Sequence, residues 1–199
     1  MHTVLWPDLA PYDTMCHAMK QCVHDIRCGH EPEQIWYLEH QPVYTCGPAY
    51  DAASVAHDLP FPLVRTERGG DITFHGPGQR VVYVMVDLKR RNLDIHTYIH
   101  TLEQWIIRTL HQCAIQANGQ PCGRGVWTAK GKIASIGLKI TSGITWHGFA
   151  CNVTMASLPP FSAIHPCGLV NQTMACVQTF HADTSMAHVD TIINATCPF

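Results

Sequence analysis

Met15, Met19, Val23 and Ile26 recur every three or four residues, the spacing that lines one face of a helix. Asp13 stands where a side-chain cap would sit, and Gly29 closes the stretch. A stronger helical stripe begins at Asp94, with Ile95, Ile99, Leu102, Ile106, Leu110 and Cys113 on one side. Between the two stripes the pattern shortens. Leu5 to Pro11 reads as an entry strand and loop, Ile35 to His40 and Val43 to Pro48 as strands, and Leu63 to Glu67 as a short strand. Residues 49–60 read as loop or short helix. Arg80 to Leu88 is an apolar, β-branched run, the signature of a strand buried on both faces. After the second helix come expected strands around Gly125–Ala129, Lys132–Ile140, Ile144–Met155 and Ala175–Phe180, then a short terminal helix from near Thr184. The order predicts an α+β fold: a mixed β-sheet with flanking helices, packed on one side of it. No repeat or linker divides residues 1–199, so a single catalytic domain is expected.

Composition narrows the function. A formal net charge of −2 and a pI near 6.7 give no bulk attraction to nucleic acid or an anionic membrane. The longest apolar runs fall short of a membrane span, and the first residues lack the basic and apolar regions of a signal peptide, so a cytoplasmic protein is expected. Ten cysteines without a Cys-x-x-Cys pair are then expected to be reduced, most of them as small core residues. Cys16, His17, Cys22, His24, Cys28 and His30 crowd the first helix, but their spacing fits no common zinc module, and no metal is expected.

Two stretches carry chemistry. Arg68-Gly-Gly-Asp-Ile-Thr-Phe-His-Gly-Pro-Gly-Gln79 concentrates glycine where backbone can approach a ligand, yet it is neither a Walker A loop nor a dinucleotide fingerprint. Further on, Cys167 sits between Pro166 and Gly168, a turn that can present a thiol. A lysine ammonium beside it would favour the nucleophilic thiolate. Lys130, Lys132 and Lys139 all stand in or near the preceding strand, and alternation along a regular strand does not choose among them. His75 and His147 are alternative general bases.

The segment RGGDITFHGPGQRVVYVMVDLKRR resembles the signature of the lipoyl(octanoyl) transferases. LEHQPVYTCGPA precedes it, GVWTAKGKIASIGLKI and GITWHGFACNV follow, and FSAIHPCGL surrounds the cysteine, all in that family's order. His165 stands where the family has Asn, and Leu158-Pro-Pro-Phe161 carries one extra residue. The resemblance implies the fold of biotin and lipoate protein ligase catalytic domains. It also implies a two-step reaction: Cys167 takes octanoyl from octanoyl-acyl carrier protein as a thioester, and a lysine of a lipoyl domain then attacks it. The acceptors implied are lipoyl domains of 2-oxoacid dehydrogenases and the glycine cleavage H protein. Lys132 becomes the residue that activates Cys167. Substrate-lining positions become Arg68, Gly69, Gly70, Asp71, Ile72, Thr73, Phe74 and His75, with Ser135, Ile136, Gly137, Gly148, Phe149 and Ala150. His147 is placed behind them in support, and no cofactor is implied, because the donor carries its own phosphopantetheine. Two other classes stand beside this one: an ATP-dependent lipoate or biotin ligase of the same fold, and a non-catalytic binding module built on the His/Cys-rich first helix.

Overall fold

The structure, a computed structural model, describes residues 1–55, 58–120, 124–165 and 173–199. In chain order the strands and α-helices are β1 (His2–Ala10), α1 (Tyr12–Cys28), β2 (Gln34–His40), β3 (Val43–Cys46), β4 (Leu63–Arg65), β5 (Ile72–His75), β6 (Gln79–Met85), α2 (Ile95–Gln112), β7 (Asn118–Gly119), β8 (Gly125–Thr128), β9 (Gly131–Thr141), β10 (Ile144–Asn152) and α3 (Met186–Ala195). Seven strands form one sheet in the order β1-β2-β6-β10-β9-β8-β7, and β4-β3-β5 form a second, smaller one. The large sheet is antiparallel apart from its β1–β2 edge. The mixed sheet with flanking helices is therefore present.

The apolar run at Arg80–Leu88 becomes β6, central in the sheet and buried along its length, and alternation assigns its two faces. Val82 and Val84 join a core with Leu102, Trp105 and Ile106 of α2 and Val189 and Ile193 of α3. Val81, Tyr83 and Met85 join another with Met15, Met19, Val23 and Ile26 of α1. Helices thus cover both faces, which corrects the one-sided packing expected from the sequence. The reason is that β6 carries large apolar side chains on both faces from Val81 to Met85, so neither face can be left to water. Arg80, itself buried, fixes α3 to the sheet through Nε and Nη2, which donate to the two carboxylate oxygens of Asp190 at 2.6 and 2.8 Å.

Two local expectations are also corrected. Asp13 does not cap α1; Pro11 holds that position in an extended conformation, and Asp13 lies in the first turn, where its charge complements the helix dipole. No strand forms over Ala175–Phe180. Met174 makes an isolated parallel bridge to Lys132, and Val177–Thr179 is a 3₁₀ turn capped by the side chains of Cys176 and Thr179. Asp94 does cap α2, accepting from the backbone N–H groups of His96 and Thr97. Gly29 ends α1 in the left-handed region, and α3 starts one residue after its cap, Ser185.

Candidate active site

A cavity of about 940 Å³ lies where the small sheet meets β6, β9 and β10. Its size suits a small-molecule or acyl-chain site. One wall is the glycine-rich loop running into β5, and another is formed by β9 and β10 side by side, with Gly137 paired to Gly148 and Ser135 to Ala150. Arg68, Gly69, Gly70, Asp71, Ile72, Thr73 and His75 line it, as do Ser135, Ile136, Gly137, Gly148, Phe149 and Ala150. Phe74 does not; alternation along β5 turns its ring into an aromatic cluster with Tyr44, Phe61 and Phe161. His147, expected behind the site, lines the cavity itself.

Arg68 is buried rather than placed at the mouth. Its Nη2 donates to the Thr45 carbonyl (2.6 Å), the Thr45 hydroxyl (2.8 Å) and the Asp71 carbonyl (2.9 Å). Nε and Nη1 donate to Thr45 Oγ1 and the Gly69 carbonyl at 3.1 Å each. The guanidinium therefore knots the loop to β3, while Gly69 N–H donates to the Leu138 carbonyl of β9 at 2.9 Å. Gly47 and Gly137 permit this closeness. A Cβ on Gly47 would strike the carbonyls of Arg68 and Gly70, and one on Gly137 would press on the Arg68 side chain.

Behind the loop lies a polar knot of Tyr12, His40, His75 and Tyr83. His40 Nδ1 donates to the Ala10 carbonyl at 2.9 Å, which leaves Nε2 to accept from the Tyr83 hydroxyl at 2.7 Å. Burial holds His40 down at about 4. His75 is oriented by a chain of side-chain amides. Asn152 Nδ2 donates to the Ala175 carbonyl (3.1 Å), and Gln79 Nε2 donates to Asn152 Oδ1 (2.9 Å) and to the Phe74 carbonyl (3.2 Å). Gln79 Oε1 is thereby aimed at His75 Nδ1 (2.7 Å), so that nitrogen carries the proton and Nε2 keeps its lone pair. Desolvation holds His75 well below the usual histidine range. His147 occupies the left-handed region at φ 61°, stacked on Trp146, and burial followed by the charge of Arg68 holds it at about 3. Its Nε2 is buried without a hydrogen-bond partner among the described residues.

Of the three candidate lysines, Lys132 alone lines the cavity. Lys130 Nζ donates to the Thr179 carbonyl (2.8 Å) over the Phe180 ring, and Lys139 reaches Glu67 (3.9 Å). Lys132 is buried, its Nζ 4.9 Å from the centre of the Trp127 ring. The parity problem seen in the sequence is resolved by a bulge. Val126 pairs with Ala134 but Trp127 with Lys132, so Ile133 is the extra residue and Lys132 and Ser135 come to the same side. Lys132 also pairs by its backbone with the returning chain, N–H to the Thr173 carbonyl and carbonyl to the Ala175 N–H, both at 2.9 Å.

Cys167, with Pro166 and Gly168, lies outside the described residues. The described residues on either side of that stretch both reach the site: His165 lines the cavity and its N–H donates to the Ser54 carbonyl (2.7 Å), and Thr173 meets Lys132. None of the eight described cysteines lines the cavity. Burial pushes the thiols of Cys22 and Cys151 up to about 12 and that of Cys16 to about 11, the range of inert core thiols. No described group of three or more His, Cys, Asp and Glu side chains is placed to hold a metal, the His/Cys-rich α1 included. Tyr12, Ser54, Val81, Tyr83 and Arg124 also line it, with Ala49, Asp51 and Ala53. The sequence offered a hint for Tyr83, a polar-tipped side chain between valines, and none for Tyr12 or Ser54, which arrive from distant elements.

The family model described as "Lipoyl protein ligase A/B catalytic domain" matches residues 11–197. The chain is 38% identical over 192 residues to the octanoyltransferase of Paramagnetospirillum magneticum, covering 94% of this chain and 90% of that one. It is 40% identical over 181 residues to the octanoyltransferase of Laribacter hongkongensis, covering 91% and 86%. Among solved structures, a putative lipoate protein ligase from T. acidophilum superposes with a TM-score of 0.75 at 17% identity, covering 98% of this chain and 84% of that one. Lipoate-protein ligase A bound with ATP gives 0.72 at 18%, with the same coverage. The chain belongs to the octanoyltransferase family of lipoyl protein ligase A/B catalytic domains.

Proposed function

We propose that this protein transfers an octanoyl group from octanoyl-acyl carrier protein to a lysine of a lipoyl domain, through a thioester on Cys167. The observation that carries the reading is the glycine-walled cavity with Lys132 buried in its wall and paired to the chain that returns from Cys167. In the first half-reaction the Cys167 thiolate, favoured by the Lys132 ammonium, attacks the donor carbonyl. The new carbon–sulfur bond replaces the bond to pantetheine, whose sulfur leaves as a thiolate and takes a proton from Lys132, leaving that amine neutral for the second half-reaction. In the second, the acceptor amine attacks, the bond to Cys167 breaks, an amide forms, and the amine's proton passes to Lys132. Ile72, Val81, Ile136 and Phe149 supply apolar wall for the acyl chain. We place the reaction in the cytoplasm, without metal or nucleotide; among the described residues no helix is long and apolar enough to cross a membrane.

Intact-mass measurement tests this directly. Incubation with octanoyl-carrier protein should add one octanoyl, and Cys167→Ala should carry none. An unmodified parent that requires free acid and ATP would make the protein a ligase. Lys132→Arg keeps the charge but does not release a proton at neutral pH, so it should acylate and stall before transfer.

A further inference from the structure

Asp71 stands in the cavity wall with one carboxylate oxygen engaged and the other bare. Oδ2 accepts from the Ser54 hydroxyl at 2.8 Å, while Oδ1 is buried without a partner among the described residues. Arg68 lies alongside and acts on Asp71 through its charge, while its guanidinium hydrogen bonds go to Thr45, the Gly69 carbonyl and the backbone carbonyl of Asp71. Asp71 is fixed on both sides, since its carbonyl also accepts from Gly47 N–H (3.3 Å). A buried carboxylate oxygen left bare is costly unless a cation or donor arrives to meet it. Ser54 orients that carboxylate, and its own carbonyl holds His165, the described residue that precedes Pro166-Cys167-Gly168 in sequence.

From this juxtaposition we propose that Asp71 is a binding residue for the acceptor's ammonium, pairing through Oδ1 with the lysine that enters to take the acyl group. The proposal rests on the function proposed above. Of the two substrates in that reaction, the pantetheine arm offers amides, a hydroxyl and sulfur, all uncharged. The acceptor lysine is the one group at the reacting end that brings a positive charge. A carboxylate in the cavity wall selects it and holds it in register; the ammonium gives one proton to water to become the attacking amine, and that amine's second leaving proton passes to Lys132 as the amide forms.

The test uses the whole protein, charged with octanoyl from octanoyl-carrier protein and freed of donor. Discharge is followed by intact mass with two nucleophiles, a lipoyl domain and hydroxylamine, the latter uncharged at neutral pH. In Asp71→Asn, which keeps the shape and the contact to Ser54, the ratio of lysine to hydroxylamine discharge should fall about tenfold, as for a lost charge-assisted hydrogen bond. Asp71→Glu should restore part of it. Ser54→Ala, which frees the carboxylate to rotate, should lower the same ratio by less and serves if the Asn variant does not fold. An unchanged ratio in a charged Asp71→Asn, or an equal loss with both nucleophiles, overturns the assignment and points to water or loop structure as the partner of Oδ1. A parent that never becomes charged overturns the function proposed above, a different failure from either of these.

Discussion

The two faces of β6 share a strand and differ in kind. Its even positions look into a core of α2 and α3 filled with Leu102, Trp105, Ile106 and Ile193. On the odd side Val81 and Tyr83 look past α1 toward His40, His147 and the cavity. Each face also holds a buried polar atom with no partner among the described residues: Tyr37 Oη on the helix-packed face, and His147 Nε2 in the cavity wall. The difference teaches how to read such an atom. Inside a dry core it is a cost with no remedy, whereas beside a cavity a small movement of the wall brings it within reach of water or another polar group.

The largest expected effect breaks the packed face. Trp105 is fully buried, donates to the Ile193 carbonyl at 2.9 Å and meets the rings of Phe149 and Phe199 edge-on. Trp105→Ala should cost about 3–5 kcal/mol in a denaturant titration by leaving a cavity between α2 and α3.

A smaller effect separates the faces by pH. His40 and His147 are held at about 4 and 3, against 6.5 for the free ring, and His75 is lowered as well. These groups bind fewer protons folded than unfolded, so their contribution is complete above about pH 6.5 and is lost as pH falls toward 4 and then 3. Unfolding midpoints should decline across that window. His40→Leu should flatten the slope, while Trp105→Ala should shift the whole curve down without flattening it, because the lowered histidines His40, His75 and His147 cluster with Tyr83 and with one another rather than with Trp105.

The smallest effect sharpens the comparison. Tyr37→Phe removes the bare hydroxyl on the packed face and should leave stability equal or up to about 1 kcal/mol higher, with acyl transfer unchanged. A loss of several-fold in transfer rate would mean that this hydroxyl, too, serves the site.

Much of the packed face was legible in the sequence and little of the cavity's detail. The stripe from Ile95 to Leu110 and the run at β6 are local signals, and local periodicity survives into structure. That helices cover both faces was not local, because it depends on how distant segments cross the sheet. The bulge at Ile133 has no sequence signature, so Lys132 and Ser135 read as facing apart until the register slipped by one residue. The motif blocks marked the loop and the β9–β10 wall as lining segments. They did not separate Phe74, turned away, from His147, turned in, since that choice is made by strand alternation and one left-handed backbone angle.

Gly131 and Lys132 sit next to each other at the start of β9 and are used in opposite ways. At Gly131 the backbone takes φ 131°, and any Cβ would collide with the Thr173 carbonyl; the position serves by having no side chain. At Lys132 the pairing with Thr173 and Ala175 is made by main-chain atoms, which every substitution except proline retains. Architecture and chemistry are thus written on separate atoms of one short stretch. The side chain at 132 can be exchanged to test the proposed reaction while the returning chain keeps its register, whereas the smallest addition at 131 rewrites the register itself.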